Sequence, residues 1–194
     1  EMCIRDSNTN EITRMQANEA GVNYYVEDGE IVHTQLIGSP VHFQQTLMNI
    51  GSNAVKYNHD GGSVTVTCRE VSYTDTTAEY ELTCTDTGIG MSEEFQKRAF
   101  EPFAQEGQSA RTKYAGTGLG LAISRKLIEL QGGTLFFESI QGKGTKFILH
   151  ISFEISAEEQ EKKSHMYQNC SVEGIQVLLV EDNELNMEIA EFLL

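Results

Sequence analysis

Asn49, Asn53, Lys56 and Tyr57 are spaced at i, i+4, i+7 and i+8, which brings two amides, an ammonium and a phenol to one face of a helix. Such a stripe can coordinate a hydrated Mg²⁺ together with phosphate oxygens, neutralise a phosphate and lie beside a base or ribose. Taken alone it reads equally well as an exposed polar face. Thirty residues on, Asp86-Thr-Gly88-Ile-Gly90 follows an apolar alternating run. A carboxylate at a strand end can accept from an exocyclic amine, which selects adenine over guanine, and Gly88 and Gly90 let backbone approach a ring. Alone, that segment is also an ordinary Asp-x-Gly turn.

Gly116-Thr117-Gly118-Leu119-Gly120 opens an apolar-periodic stretch, so it offers bare amides and a positive helix end where phosphates bind. It has the outline of a dinucleotide fingerprint, but a polar loop rather than an apolar strand precedes it, and no acidic ribose reader follows at the expected place. Between the two glycine segments stands Phe100-Glu-Pro-Phe103, then the polar, glycine-bearing segment Ala104 to Ala115 with Arg111 and Lys113. That segment is expected to close as a lid, with Arg111 among the nucleotide-binding residues. Phe100 and Phe103 read either as anchors of its base or as core aromatics. Any one segment is weak; their order and spacing together predict a nucleotide pocket.

The elements that must hold these residues are legible from periodicity. Strand alternation appears at Asn23 to Val26, His33 to Ile37, Ser63 to Val71, Glu79 to Thr85, Thr134 to Ser139 and Thr145 to Phe153. Helical spacing runs from about Val41 to Tyr57, Glu93 to Phe100 and Gly118 to Gln131. Two hairpins are expected, the second turning at Gln141-Gly-Lys-Gly144. The predicted class is α+β, a two-layer sandwich whose mainly antiparallel, mixed sheet is covered by helices.

The chain has 194 residues and a net charge of -15, from 14 Lys and Arg against 29 Asp and Glu. This argues against a nucleic-acid or anionic-membrane surface, and an acidic chain that binds a polyanionic nucleotide needs a divalent cation, so Mg²⁺ is expected. Cys3, Cys68, Cys84 and Cys170 form no Cys-x-x-Cys pair, which fits a reducing compartment; Cys68 and Cys84 sit on alternating strands and are expected buried. No apolar run reaches the length of a membrane span.

Five segments are expected. Residues 1–7 lack periodicity and back-translate into the end of a sequencing adapter, which predicts a non-native piece. Residues 8–21 are expected to be the end of a dimerisation helix or linker, 22–155 the nucleotide-binding domain, and 156–174 a polar linker. Residues 175–194 hold an apolar strand, the acidic pair Glu181 and Asp182, and helical spacing at Leu185, Ile189, Phe192 and Leu193, the start of a second, α/β domain.

At these residues the chain resembles the catalytic, ATP-binding domain of sensor histidine kinases, within the ATPase group that includes gyrase, Hsp90 and MutL. The matching motifs are the N box (Asn49 to Tyr57), first glycine box (Asp86 to Gly90), F box (Phe100 to Phe103) and second glycine box (Gly116 to Gly120). The resemblance implies that Asn49 and Asn53 hold Mg²⁺ and phosphates, Lys56 touches phosphate, Tyr57 flanks the nucleotide and Asp86 reads adenine. The F box and Asn49 favour kinases, because related hydrolases carry a glutamate as general base at that position and an amide cannot remove a proton. The tail resembles the first strand and helix of a receiver, with Glu181 and Asp182 matching its Mg²⁺-binding pair, so the combination looks like a hybrid histidine kinase. Expected partners are ATP, a histidine-bearing dimerisation domain in a homodimer, and receiver or phosphotransfer domains, with no nucleic acid. The expected location is the cytoplasmic side, with any membrane anchor upstream.

None of His33, His42, His59, His150 or His165 has the setting of the family's phosphoacceptor, and the receiver aspartate is expected beyond Leu194. His42 stands where many relatives carry arginine, and is expected to be an exposed helix residue. Two rival readings stay open from sequence: an ATP-hydrolysing conformational switch of the same group, and a degenerate scaffold without enzymatic activity.

Overall fold

The computed structural model describes residues 2–3, 8–106 and 117–157. The chain divides into a unit of Glu1–Lys162 and a second of Lys163–Leu194, and all the described residues belong to the first. The expected receiver start, with Glu181 and Asp182, lies outside the described residues, as do Arg111, Gly116 and most of the linker.

The elements run in the order β1 (Met2–Cys3), α1 (Asn8–Glu19), β2 (Asn23–Asp28), β3 (Gln35–Ile37), α2 (Pro40–Lys56), β4 (Ser63–Tyr73), β5 (Thr77–Asp86), α3 (Glu93–Gln96), α4 (Gly120–Leu130), β6 (Thr134–Ile140) and β7 (Gly144–Ile155). The strands form one sheet in the order β1-β3-β7-β5-β4-β2, with β6 also paired to β7. Every pairing is antiparallel except β2 with β4, which run parallel from Asn23 opposite Ser63 to Asp28 opposite Cys68. The sheet is therefore mixed and mainly antiparallel, as the alternation implied.

Period-two patterning sends one set of side chains to a single core. Tyr80, Leu82 and Cys84 of β5 and Phe147, Leu149, Ile151 and Phe153 of β7 pack with Phe43, Ile50, Ala54 and Val55 of α2 and Ile128 of α4. The intervening positions Glu79, Glu81, His150 and Ser152 face away from that core, and Glu81 pairs with the exposed Arg69 guanidinium and hydrogen-bonds the exposed His150 ring. Helices thus cover one face, giving the two-layer α+β arrangement. Cys84 is buried as expected, whereas Cys68, nearer the sheet edge, is only half-buried.

Residue 22 is not a packing boundary. Thr9, Thr13 and Ala17 of α1 are buried, Ala17 and Val22 join the main core, and Thr13 sits so close to Gly51 of α2 that a Cβ there would lie 3.0 Å from the threonine. Helix α1, in the span expected to be the end of a dimerisation helix or linker, packs against this fold. Pro40 starts α2, and Ser39 caps it by accepting from the His42 amide at 3.5 Å; His42 itself is exposed.

Three elements are shorter than their periodicity predicts, each for a local reason. The strand expected from His33 begins only at Gln35, because His33 is drawn into the core, where its Nδ1 lies 2.7 Å from Glu70 Oε1. Glu70 occupies a core-facing position of β4, and its Oε2 accepts from the amides of Val32 and His33 at 2.8 and 2.9 Å. Tyr80 Oη donates to the His33 carbonyl at 2.6 Å. The helix expected over Glu93 to Phe100 stops at Gln96 and tightens into turns, with Arg98 N donating to the Phe95 carbonyl and Glu101 N to that of Arg98. The last helix starts at Gly120 because Gly118 has φ 71°, outside the helical region.

The His33 and Glu70 side chains are only 2% and 3% exposed, so removing one strands the other's polar groups. Glu70→Ala is expected to lower unfolding free energy by on the order of 3–5 kcal/mol in urea denaturation; a loss within experimental error would show that the pair contributes nothing.

Candidate functional site

At the end of the sheet where β5 runs out, α2, α4 and the β6–β7 hairpin enclose a cavity of ≈ 230 Å³. Of the residues singled out from sequence, Asn53, Lys56, Tyr57, Asp86, Gly90, Thr117, Gly118 and Gly120 line it. Helical periodicity places Asn53 and Lys56 on that face of α2, and Tyr57 ends the helix with its ring 5.1 Å from Lys56 Nζ. Arg111 and Gly116 lie outside the described residues.

Asn49 is not in the lining but sits beside it, joined to α4. Its Nδ2 donates to Ser124 Oγ at 3.1 Å and to the Gly120 carbonyl at 3.4 Å. Gly88 acts through backbone rather than as lining: its amide donates to Asp86 Oδ1 at 2.8 Å, and a Cβ there would collide with the Tyr57 carbonyl. Leu119 is the residue before α4, its amide donating to Thr117 Oγ1 at 3.4 Å.

Asp86 is buried at the floor. Besides Gly88 N, its Oδ1 accepts from Thr145 N at 3.2 Å, which leaves Oδ2 as the oxygen available to a ligand. Burial pushes its pKa up to about 6 against the stabilising pull of those two amides. The Cys84 thiol, buried two residues earlier, is driven up to about 12 by burial and by the Asp86 charge, so it stays neutral.

The glycines divide by role. Gly90 has φ 62° and Gly118 φ 71°, and a Cβ on either would strike neighbouring backbone, of Ile140 and of Phe103 and Ala104 respectively. A Cβ on Gly120 would meet nothing nearer than Asn49 at 3.7 Å, so the fold itself does not require glycine there. Its absent side chain leaves backbone open to the cavity at the helix start.

Phe100 and Phe103 separate. Phe100 packs 5.3 Å from Phe137, with the Arg125 guanidinium 4.9 Å over its ring, and sits half-buried against the core. Phe103 is exposed, holds φ 64°, and donates its amide to the Gly118 carbonyl at 3.0 Å, which ties together the two ends of the segment expected to be a lid.

Sequence reasoning missed Thr145, Phe147, Met91, Phe95 and Glu106, all of which line the cavity. Thr145 matters most, since its amide holds Asp86 and its hydroxyl lies 2.9 Å from Ser139 Oγ. The available signal was Gly142-Lys-Gly144, read only as a hairpin turn. Gly142 N donates to the Ile89 carbonyl at 2.7 Å, and a Cβ on Gly144 would strike the Asp86 carbonyl, so the hairpin clamps the Asp86 loop.

The profile of the histidine kinase-, DNA gyrase B-, and HSP90-like ATPase family matches residues 38–155, a span holding α2, the Asp86 loop and α4. The chain belongs to this family. Among relatives of these ATPases, sensor histidine kinase AruS of Pseudomonas aeruginosa is 38% identical over 163 residues, 84% of this chain and 16% of AruS. Histidine protein kinase 1 of Candida albicans is 41% identical over 116 residues, 60% of this chain and 5% of that protein. The chain spans between 5% and 21% of such curated relatives. In three dimensions it superposes on full-length ShkA, solved in complex with AMPPNP, with TM-score 0.61 and 26% identity over 78% of this chain and 30% of that one. The mycobacterial sensor histidine kinase MprB gives 0.60 at 24% identity over 77% and 93%, a likeness of fold. No helix among the described residues is long and apolar enough to cross a membrane.

Two outcomes follow from Asp86. An ionised carboxylate is the better acceptor for an exocyclic amine, so affinity for an adenine nucleotide is expected to fall about tenfold between pH 7 and pH 5 and to be flat with pH in Asp86→Asn; calorimetric titration reads both. An identical pH profile in the two proteins would remove Asp86 from recognition. The second outcome concerns the ligand-free protein. Its pKa is raised on folding from 3.8 to about 6, so between those values the unfolded chain loses the proton first and stability falls as pH rises. Asp86→Asn should therefore raise the ligand-free melting temperature at pH 7 and leave it nearly unchanged near pH 3; a lower melting temperature at pH 7 would contradict the sign.

Proposed function

We propose that this chain is the ATP-binding catalytic domain of a two-component hybrid sensor histidine kinase. In this reading it transfers the γ-phosphoryl group of ATP to a histidine on a dimerisation domain, from which the group passes to a receiver aspartate. The observation that carries the reading is Asn49. An amide, fixed against α4 at 3.1 Å from Ser124, stands where the hydrolases of this family place a general base, and an amide cannot take a proton from water. The cavity below it then favours holding ATP intact for an incoming nucleophile.

Each residue has a part. Asp86 Oδ2 accepts from the adenine amine, with Gly88, Gly90 and Thr145 shaping that end. Tyr57 flanks the nucleotide, and Lys56 and Arg111 supply positive charge to its phosphates. Thr117, Gly118, Leu119 and Gly120, with Gly116, present backbone at the start of α4 to the phosphate chain. The donor set fits Mg²⁺, since the Asn49 amide nitrogen is turned to the Gly120 carbonyl, which leaves its oxygen available, and Asn53 lies one helical turn on, in the lining. When bound, that ion would neutralise phosphate charge. The acceptor imidazole nitrogen forms its bond to the γ-phosphorus in line with the bond that breaks to the ADP oxygen, so ADP leaves, and the protein supplies alignment and charge.

The wider organisation belongs to the same proposal. The catalytic domain would begin with α1, and the tail from residue 175 would be a receiver whose Glu181 and Asp182 hold its own Mg²⁺. The whole protein would be a homodimer that acts on the cytoplasmic side, with any membrane anchor in upstream sequence.

Mixing the chain with a separately prepared, histidine-bearing dimerisation domain and radiolabelled ATP·Mg²⁺ is expected to give acid-labile, base-stable phosphohistidine on that domain, with little free phosphate. Steady phosphate release by the chain alone, without phosphohistidine, would overturn the kinase reading in favour of a hydrolase; absence of saturable nucleotide binding would overturn both.

A further inference from the structure

Ser124 is fully buried on α4, one turn after Gly120 and one turn before Ile128, which is also fully buried. The stripe 120, 124, 128 faces α2, and a buried hydroxyl on such a stripe costs free energy unless it is hydrogen-bonded. Packing alone would be met by alanine. The partner of this hydroxyl is Asn49, whose Nδ2 donates to Ser124 Oγ at 3.1 Å.

That bond has a directional consequence. The nitrogen and oxygen of an asparagine amide are nearly equal in shape, so only hydrogen-bond partners decide which way the group faces. The second partner of Asn49 is the Gly120 carbonyl, 3.4 Å away, which can only accept; the group turned to α4 must therefore be the NH₂. Its two protons are divided between Gly120 and Ser124, stacked at i and i+4 on one helix face. With the nitrogen so engaged, Oδ1 points away from α4.

We propose that Ser124 is a positioning residue that fixes the Asn49 amide with its oxygen toward the cation. The inference rests on the reading of Asn49 as an Mg²⁺ ligand. Ser124 does not line the cavity and touches neither nucleotide nor ion; it acts through Asn49 alone. Without its hydroxyl, one NH₂ proton keeps only the long bond to Gly120, and the amide is free to rotate or flip, presenting nitrogen to a cation that binds oxygen. Partners that orient metal ligands in this way typically change metal affinity by about 10–100-fold when removed.

The test is a calorimetric Mg²⁺ titration of the chain with a non-hydrolysable ATP analogue, in parallel with nucleotide binding in excess chelator. For Ser124→Ala, the half-saturating Mg²⁺ concentration is expected to rise at least tenfold, while affinity in chelator stays within twofold. The conservative Ser124→Cys, which keeps volume and a weak acceptor, should fall between alanine and the parent, and it carries the test if the alanine variant does not fold. In the ligand-free protein, the paired Asn49 side-chain NH₂ resonances should lose chemical-shift dispersion in Ser124→Ala, a readout independent of activity. An unchanged Mg²⁺ requirement, or an equal loss with and without Mg²⁺, would overturn the proposal. Asn49→Ala in the same titration separates the two levels. If it leaves the Mg²⁺ requirement untouched, the reading of Asn49 fails; if it raises the requirement while the serine variants do not, only the role of Ser124 fails.

Discussion

The carboxylate of Asp86 is buried at the end of β5, and one of its oxygens gathers the amides of Gly88, two residues on, and Thr145, 59 residues on. Burying a carboxylate is costly, and two amides on Oδ1 only partly offset the loss of water. The fold tolerates that cost because three segments depend on it. The loop after β5 must turn at Gly88 and Gly90, the β6–β7 hairpin must reach over it through Gly142 and Gly144, and β7 must pair with β5 in the register that sets Thr85 opposite Lys146. Burial outweighs the two amides, and the carboxyl stays raised to about 6.

The second constraint is the seam between α2 and α4. Asn49 and Ser124 join α2 to α4, while Thr13 of α1 packs on Gly51 at another position of α2. Helix α2 is thus braced on two faces, by α4 at Asn49 and by α1 at Gly51. The β4–β5 hairpin end is closed separately by His33, Glu70 and Tyr80, so the two ends of the sheet use different polar cores. Fixed donors and acceptors in a half-enclosed cavity are what an enzyme needs when its contribution is alignment and charge rather than covalent chemistry.

Much of this was legible in the sequence because it is periodic. The amphipathic run around Ile50, Ala54 and Val55 announces α2, and alternation at Tyr80, Leu82 and Cys84 announces β5 and the side on which Asp86 emerges. What stayed hidden was non-local. Thr145 binds through its backbone amide, which has no residue signature, and Ser124 on an apolar stripe looks like a small filler until Asn49 is seen opposite. Glu70 and His33 broke a predicted strand because a long-range buried hydrogen bond outweighed local β preference. The packing of α1 against Gly51 could not be read from a helix whose own pattern is mostly polar. In each case a contact across dozens of residues decided the outcome, and one-dimensional spacing does not encode it.

The central claim is that this cavity reads adenine through a single carboxylate oxygen. Competition between ATP and GTP for the Mg²⁺-loaded chain, followed by calorimetry, tests it most directly. A site that accepts from the adenine amine meets the guanine carbonyl with like polarity, so GTP should bind at least about a hundredfold more weakly than ATP. Equal affinity for the two nucleotides would contradict the account.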